Sequence, residues 1–218
     1  METIWKQIKQ LLITAMLMLC ITPTIAQERH SDAAREKYTQ LSKQLKEFYR
    51  LTAQANVTFI FPKEFKEIKA PDNEDFSFDY AMELPGKDFE IWFQVKSEKE
   101  NWASYLRTQN NQKAQLANPD SLYSSIGTAN AIAFTGDRNS LIRNIPAEYL
   151  APYNADAGRS YLLTLLDLPE TKHYKYALLI TLQKYHTGTI LAICFANEKG
   201  PEFFKNIRKV SSCLKFKP

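Results

Sequence analysis

The densest run of groups able to orient a polar molecule is Tyr153-Asn154-Ala155-Asp156-Ala157-Gly158-Arg159. A carboxamide at Asn154, a carboxylate at Asp156 and a guanidinium at Arg159 suit a loop that holds a small ligand just before a buried strand. The same residues also suit a tight turn in which Asp156 accepts backbone N–H bonds and Gly158 takes a positive φ. A hydrolase-like reading would use Asp156 and Arg159 together with His173. Asp137 and Asp167 are further carboxylates, though no spacing joins them to Asp156. Trp92 stands apart. By alternation it shares the polar face of its strand with Glu90 and Gln94, so it is either an exposed platform for a ligand or covered by the amphipathic N-terminal helix. Trp102 and Tyr105, three apart on a helix, read as core before they read as a sugar-stacking pair.

Other chemistries fail on motif. Ser160 in Gly158-Arg159-Ser160-Tyr161 lacks the second glycine of a nucleophile elbow. The six glycines are scattered singly, so no phosphate-cradling loop forms, and no His-Glu-x-x-His occurs among three well-separated histidines. No catalytic residue, metal site or cofactor is therefore expected. A formal charge of +4, from 28 basic and 24 acidic residues, is too small and too mixed for a nucleic-acid footprint.

The N-terminus carries an address. Lys6 and Lys9 precede an apolar run from Leu11 to Ile21, and Thr24-Ile25-Ala26 offers small residues before Gln27, the order of a secretory signal peptide over 1–26. That run is short of the roughly 20 residues of a membrane span. Cys20 opens a lipid-anchored alternative, but Leu19 stands where a lipobox carries a small residue, which favours cleavage after Ala26. The expected product is exported, periplasmic or secreted, with no membrane span after cleavage. It retains Cys194 and Cys213, which in an oxidising space either join as a disulfide, worth about 3 kcal/mol on the chain-entropy account, or stay as two partly buried thiols.

These groups must be held by a scaffold. Ala34, Tyr38, Leu41, Leu45 and Phe48 recur at helical spacing, which predicts an amphipathic helix from Ser31 to about Ala53 within a 27–55 segment that packs on the domain. Val57–Phe61 reads as a strand ending at Pro62. Phe76–Leu84 and Phe89–Lys96 alternate with period two around Pro85-Gly86, which predicts a half-buried antiparallel hairpin. A helix is expected from Glu98 to about Leu116, another from Asn118-Pro119-Asp120 to Phe134, and a short one after Pro146. Tyr161–Asp167, Tyr174–Tyr185 and Thr189–Phe195 are apolar on both faces and so need cover on both sides. Gly200-Pro201 opens a last helix to Val210, and Leu214–Phe216 closes as a strand. The sum is one 56–218 domain of α+β class, a three-layer α/β/α sandwich around a mostly antiparallel sheet.

Phe59-Ile60-Phe61-Pro62, the hairpin after it, and the ending hairpin–helix–Ser212-Cys213-Leu214-Lys215-Phe216 resemble the PsbP-like sandwich, over roughly Val57 to Phe216 as an order of elements. Segment 101–152 has no counterpart in it. The Ala26-Gln27 junction is similar to those of exported proteins of Bacteroides-like bacteria, and Asp120-Ser121-Leu122 resembles their O-glycan acceptor pattern. The resemblance implies an accessory or binding protein that contacts an envelope protein or a small ligand, and it transfers no catalytic residue. A hydrolase using the Asp156/Arg159 loop and a glycan or small-ligand module using Trp92 are the alternatives.

Overall fold

The computed structural model describes residues 42–109, 116–136 and 140–218. The expected signal segment, Cys20, Asp137 and the helical stripe before Ser42 lie outside the described residues.

Seven strands form one antiparallel sheet in the order β2-β3-β4-β8-β7-β6-β5. They are β2 (Lys66–Ile68), β3 (Tyr80–Glu83), β4 (Phe89–Ser97), β5 (Leu141–Asn144), β6 (Ala157–Thr164), β7 (Tyr176–Lys184) and β8 (Gly188–Ala196). Two meanders, β2-β3-β4 and β5-β6-β7-β8, meet where β4 runs antiparallel to β8 from Phe89↔Ala196 to Ser97↔Gly188. The apolar runs of the sequence become β6, β7 and β8, and the alternation of β4 sends Trp92 to one face and Phe89, Ile91 and Phe93 to the other. The chain is thus a mixed α+β sandwich, as its patterning predicts.

One face is covered by α3 (Leu122–Thr135). Asn118 caps the 3-10 turn Pro119–Ser121 that leads into it by accepting the Asp120 N–H at 2.9 Å, and Gly136, left-handed at φ +71°, ends it by returning its N–H to Ile132 O at 2.7 Å. Phe134, fully buried, stacks on Phe76 at 4.4 Å between ring centroids and meets Trp92 and Phe195. Gly127 lets the helix settle on β6, because a Cβ there would stand 2.6 Å from the Tyr161 hydroxyl oxygen. That hydroxyl donates to Ser124 O at 3.1 Å.

The opposite face is covered by α1 (Lys43–Gln54), α5 (Pro201–Val210) and a separate ribbon of β1 (Val57–Phe59) paired with β9 (Leu214–Phe216). Phe48 of α1 meets Tyr80 at 4.9 Å and Phe93 at 6.0 Å, and Phe203 of α5 meets Phe89 at 6.2 Å. Two further small helices are α2 (Lys99–Thr108) and α4 (Ala147–Leu150).

Several expectations change. Trp92 is only 2% exposed, and the helix that covers it is α3, not the N-terminal one, which lies on the Phe93 face. A burial this complete removes Trp92 as a surface platform. Of Phe76–Leu84, only Tyr80–Glu83 is strand; Phe76 and Phe78 instead fold beneath Phe134, because burying two aromatic rings outweighs extending the ladder. β2 and β5 are short edge strands that patterning does not reveal, since three or four residues carry too little period.

Candidate functional site

The Tyr153–Arg159 segment is built as a clasp. Asn154, left-handed at φ +50°, donates Nδ2–H to Lys217 O at 2.7 Å, which ties the loop to the residues after β9. Asp156 accepts the Tyr185 N–H at 2.8 Å and pairs with Lys184 Nζ at 3.0 Å, which ties it to the end of β7. Both polar groups are thereby used in holding the loop. Asn154, not Gly158, takes the positive φ. Gly158 is needed for close approach instead, since a Cβ there would meet Thr181 O at 2.8 Å and Leu150 Cδ2 at 3.0 Å. Arg159 turns to β5 and donates Nε–H to Asn144 Oδ1 at 3.1 Å.

Asp156, Arg159 and His173 do not converge. Asp156 sits where β7 ends, whereas His173 precedes its start, and the nine residues of β7 span about 30 Å. His173 Nδ1 lies 2.6 Å from Asp167 Oδ1 on an exposed loop, so Asp167 too is remote from Asp156. The two histidines that flank β7 are likewise at opposite ends. His186 pairs with Asp120 at 3.1 Å and stacks on Trp102 at 3.8 Å, which docks α2 onto the β7–β8 turn. Trp102 is half-buried in this role, and Asp120 and Ser121 serve as the start of α3. Among the described residues no group of three or more His, Cys, Asp or Glu is placed to hold a metal ion.

The clasp does position something that its polar residues do not advertise. Pro152 and Tyr153, at its start, form one wall of a groove on the sheet face that α1 and α5 leave open. The floor is Ile180 and Leu182 of β7, the far wall Ser211, Ser212 and Lys215, and the outer part encloses about 400 Å³. Tyr153, Ile180, Leu182 and Ser211 also border a narrower, almost wholly apolar extension of about 50 Å³ that reaches Ile190, Cys194 and Cys213. Burial pushes the Tyr153 phenol up, opposed by its hydrogen bond to Ser211. The Ser211 hydroxyl also donates to Arg208 O at 2.9 Å. Tyr149, 64% exposed, overhangs the mouth.

Cys194 and Cys213 are both free and buried. Burial, and the neighbouring Cys213, push the Cys194 thiol far up, and burial pushes Cys213 up to about 12. They line the inner end of the groove as unreactive apolar groups. Sequence reasoning missed the groove because its residues come from α4 and the segments flanking it, β7 and the C-terminal segment. The one local signal was the Ser211-Ser212-Cys213-Leu214-Lys215 run, small and polar beside a strand.

No protein-family model matches the chain and no curated protein is significantly similar to it, so the likeness to the PsbP-like sandwich rests on element order alone.

Proposed function

We propose that this is an exported, non-catalytic binding protein of the bacterial cell envelope whose groove receives the apolar body of a small amphipathic molecule, with the anionic end facing Lys215. The observation that carries the reading is the groove itself. It is concave, floored by aliphatic side chains, rimmed by a few hydroxyls and one exposed lysine, and of the volume that small-ligand sites occupy. The titratable side chains at its inner end, Tyr153 and the two thiols, are held protonated by burial, which suits containment better than acid–base chemistry. Export is supported by the residue order of 1–26. No described helix is long and apolar enough to cross a membrane.

Anilinonaphthalene sulfonate, an apolar body with an anionic end, is the test ligand. Its fluorescence should rise saturably with the native protein and be competed away by decanoate. Ser211→Trp, which fills the junction between the outer and inner parts, should abolish the rise while unfolding stays cooperative. Lys215→Glu should weaken it. An unchanged rise in Ser211→Trp would place the probe elsewhere and overturn the assignment.

A further inference from the structure

We propose a second binding site, for an organic ammonium group, in a cleft of about 170 Å³ beside the first turn of α5, at the opposite end of that helix from the groove. The observation behind it is Asn206. Its side chain lines the cleft, the residue is only 4% exposed, and its Oδ1 is buried without a hydrogen-bond partner among the described residues. Buried carbonyl oxygens are almost always paired, so an unpaired one in the wall of a cleft invites a donor from outside. Charge around the opening selects the kind of donor. Asp88 from the β3–β4 turn, Glu198 after β8 and Glu202 in the first turn of α5 all border it. Lys87, the cation among the lining residues, is paired with Glu202 at 3.4 Å, and Lys199 is drawn away over the Tyr176 ring at 4.3 Å.

Asp88 and Glu198 therefore face the opening with no ion-pair partner at salt-bridge distance among the described residues. A primary ammonium satisfies both features at once. One N–H reaches Asn206 Oδ1, the charge stays near the two carboxylates, and a short methylene stem lies along Phe203. A metal ion is a poorer match, since the acidic groups come from three separate segments and form no ligand cluster.

The test titrates the ¹⁵N-labelled full chain with n-butylammonium chloride and, separately, with tetramethylammonium chloride, which has the charge but no N–H. Butylammonium should give saturable shifts of the Asn206 carboxamide and of the Asn197 and Gly200 backbone amides, and tetramethylammonium should not. Asn206→Leu keeps the shape and removes the acceptor, and should weaken binding about tenfold, the scale of one charge-assisted hydrogen bond. If that variant does not fold, the surface pair Asp88→Asn with Glu198→Gln should weaken binding by a similar factor. Equal shifts with both cations, no saturable shift with butylammonium, or unweakened binding in both variants would overturn the site. None of these outcomes bears on the groove, which is read with an anionic probe.

Discussion

The two faces of the sheet use the same strands and arrive at different ends. On the α3 face, Trp92, Phe134 and Phe195 bring their rings into mutual contact in a core that also buries Tyr161. On the other face α1, α5 and the β1–β9 ribbon cover β3, β4 and β8 but stop short of the lower part of β7, where Ile180 and Leu182 look into the groove. One helix with a glycine at its contact seats flush against the strands. Two helices and a two-stranded ribbon sharing one face leave a seam. The seam is where a domain of this size can admit a small molecule without opening its core.

That contrast is broken most forcefully at Phe134. Phe134→Ala removes the ring on which Phe76, Phe78 and Trp92 converge, and large-to-small changes at such a site cost about 3–5 kcal/mol. Urea unfolding should show a corresponding loss in midpoint, whereas Tyr149→Ser at the exposed mouth of the groove should move it little. Equal losses would mean that the groove face is as tightly packed as the α3 face.

Gly127→Ala probes the same face from the helix side. The added Cβ meets the Tyr161 ring and hydroxyl at 2.6–2.8 Å, and Tyr161 is held from below as a fully buried residue. Overpacking of this kind costs about 1–3 kcal/mol, which exceeds the gain in helix propensity from replacing a glycine. A more stable Gly127→Ala variant would show that α3 can lift off the sheet, and so that the flush contact is not what distinguishes the faces.

Legibility divided along the same line. Strands β6, β7 and β8, the β7–β8 turn, the Pro146 and Gly200-Pro201 helix starts and the α+β class follow from local pattern, because continuous apolar runs and proline or glycine punctuation act within a few residues. Which helix covered which face did not follow. Trp92 was placed on the right side of its strand by alternation, yet its cover, α3, comes from a segment about forty residues away and has no sequence mark of partnership with it. The Asn154–Asp156 loop drew attention for its polar residues, and those proved to be ties to Lys217 and Tyr185. The apolar neighbours Pro152 and Tyr153 formed the cavity wall, since a cavity is a property of assembled surfaces and no single segment encodes it. Asn206 gave no signal either. One asparagine on the buried stripe of an amphipathic helix is visible only once its partners can be counted.

The smallest effect tests whether the inner end of the groove is as dry as the α3 core. Burial holds the Cys213 thiol up to about 12, against an ordinary thiol near 8.5 in the unfolded chain. Between about pH 9 and pH 12 the unfolded chain has therefore released a proton that the folded chain retains, so folding stability falls as pH rises through that window. Cys213→Ala removes this term along with its side chain. The difference in urea midpoint between parent and variant should consequently narrow as pH is raised from 8 to 11, beyond any constant offset from the lost packing. In the same pH range the native parent should react with Ellman's reagent only as fast as it unfolds. A pH-independent difference, or rapid reaction of the native protein at pH 8, would mean that water reaches Cys213 from the groove. The apolar extension would then be a wet channel, and the probe's apolar body would be confined to the outer chamber between Tyr153 and Lys215.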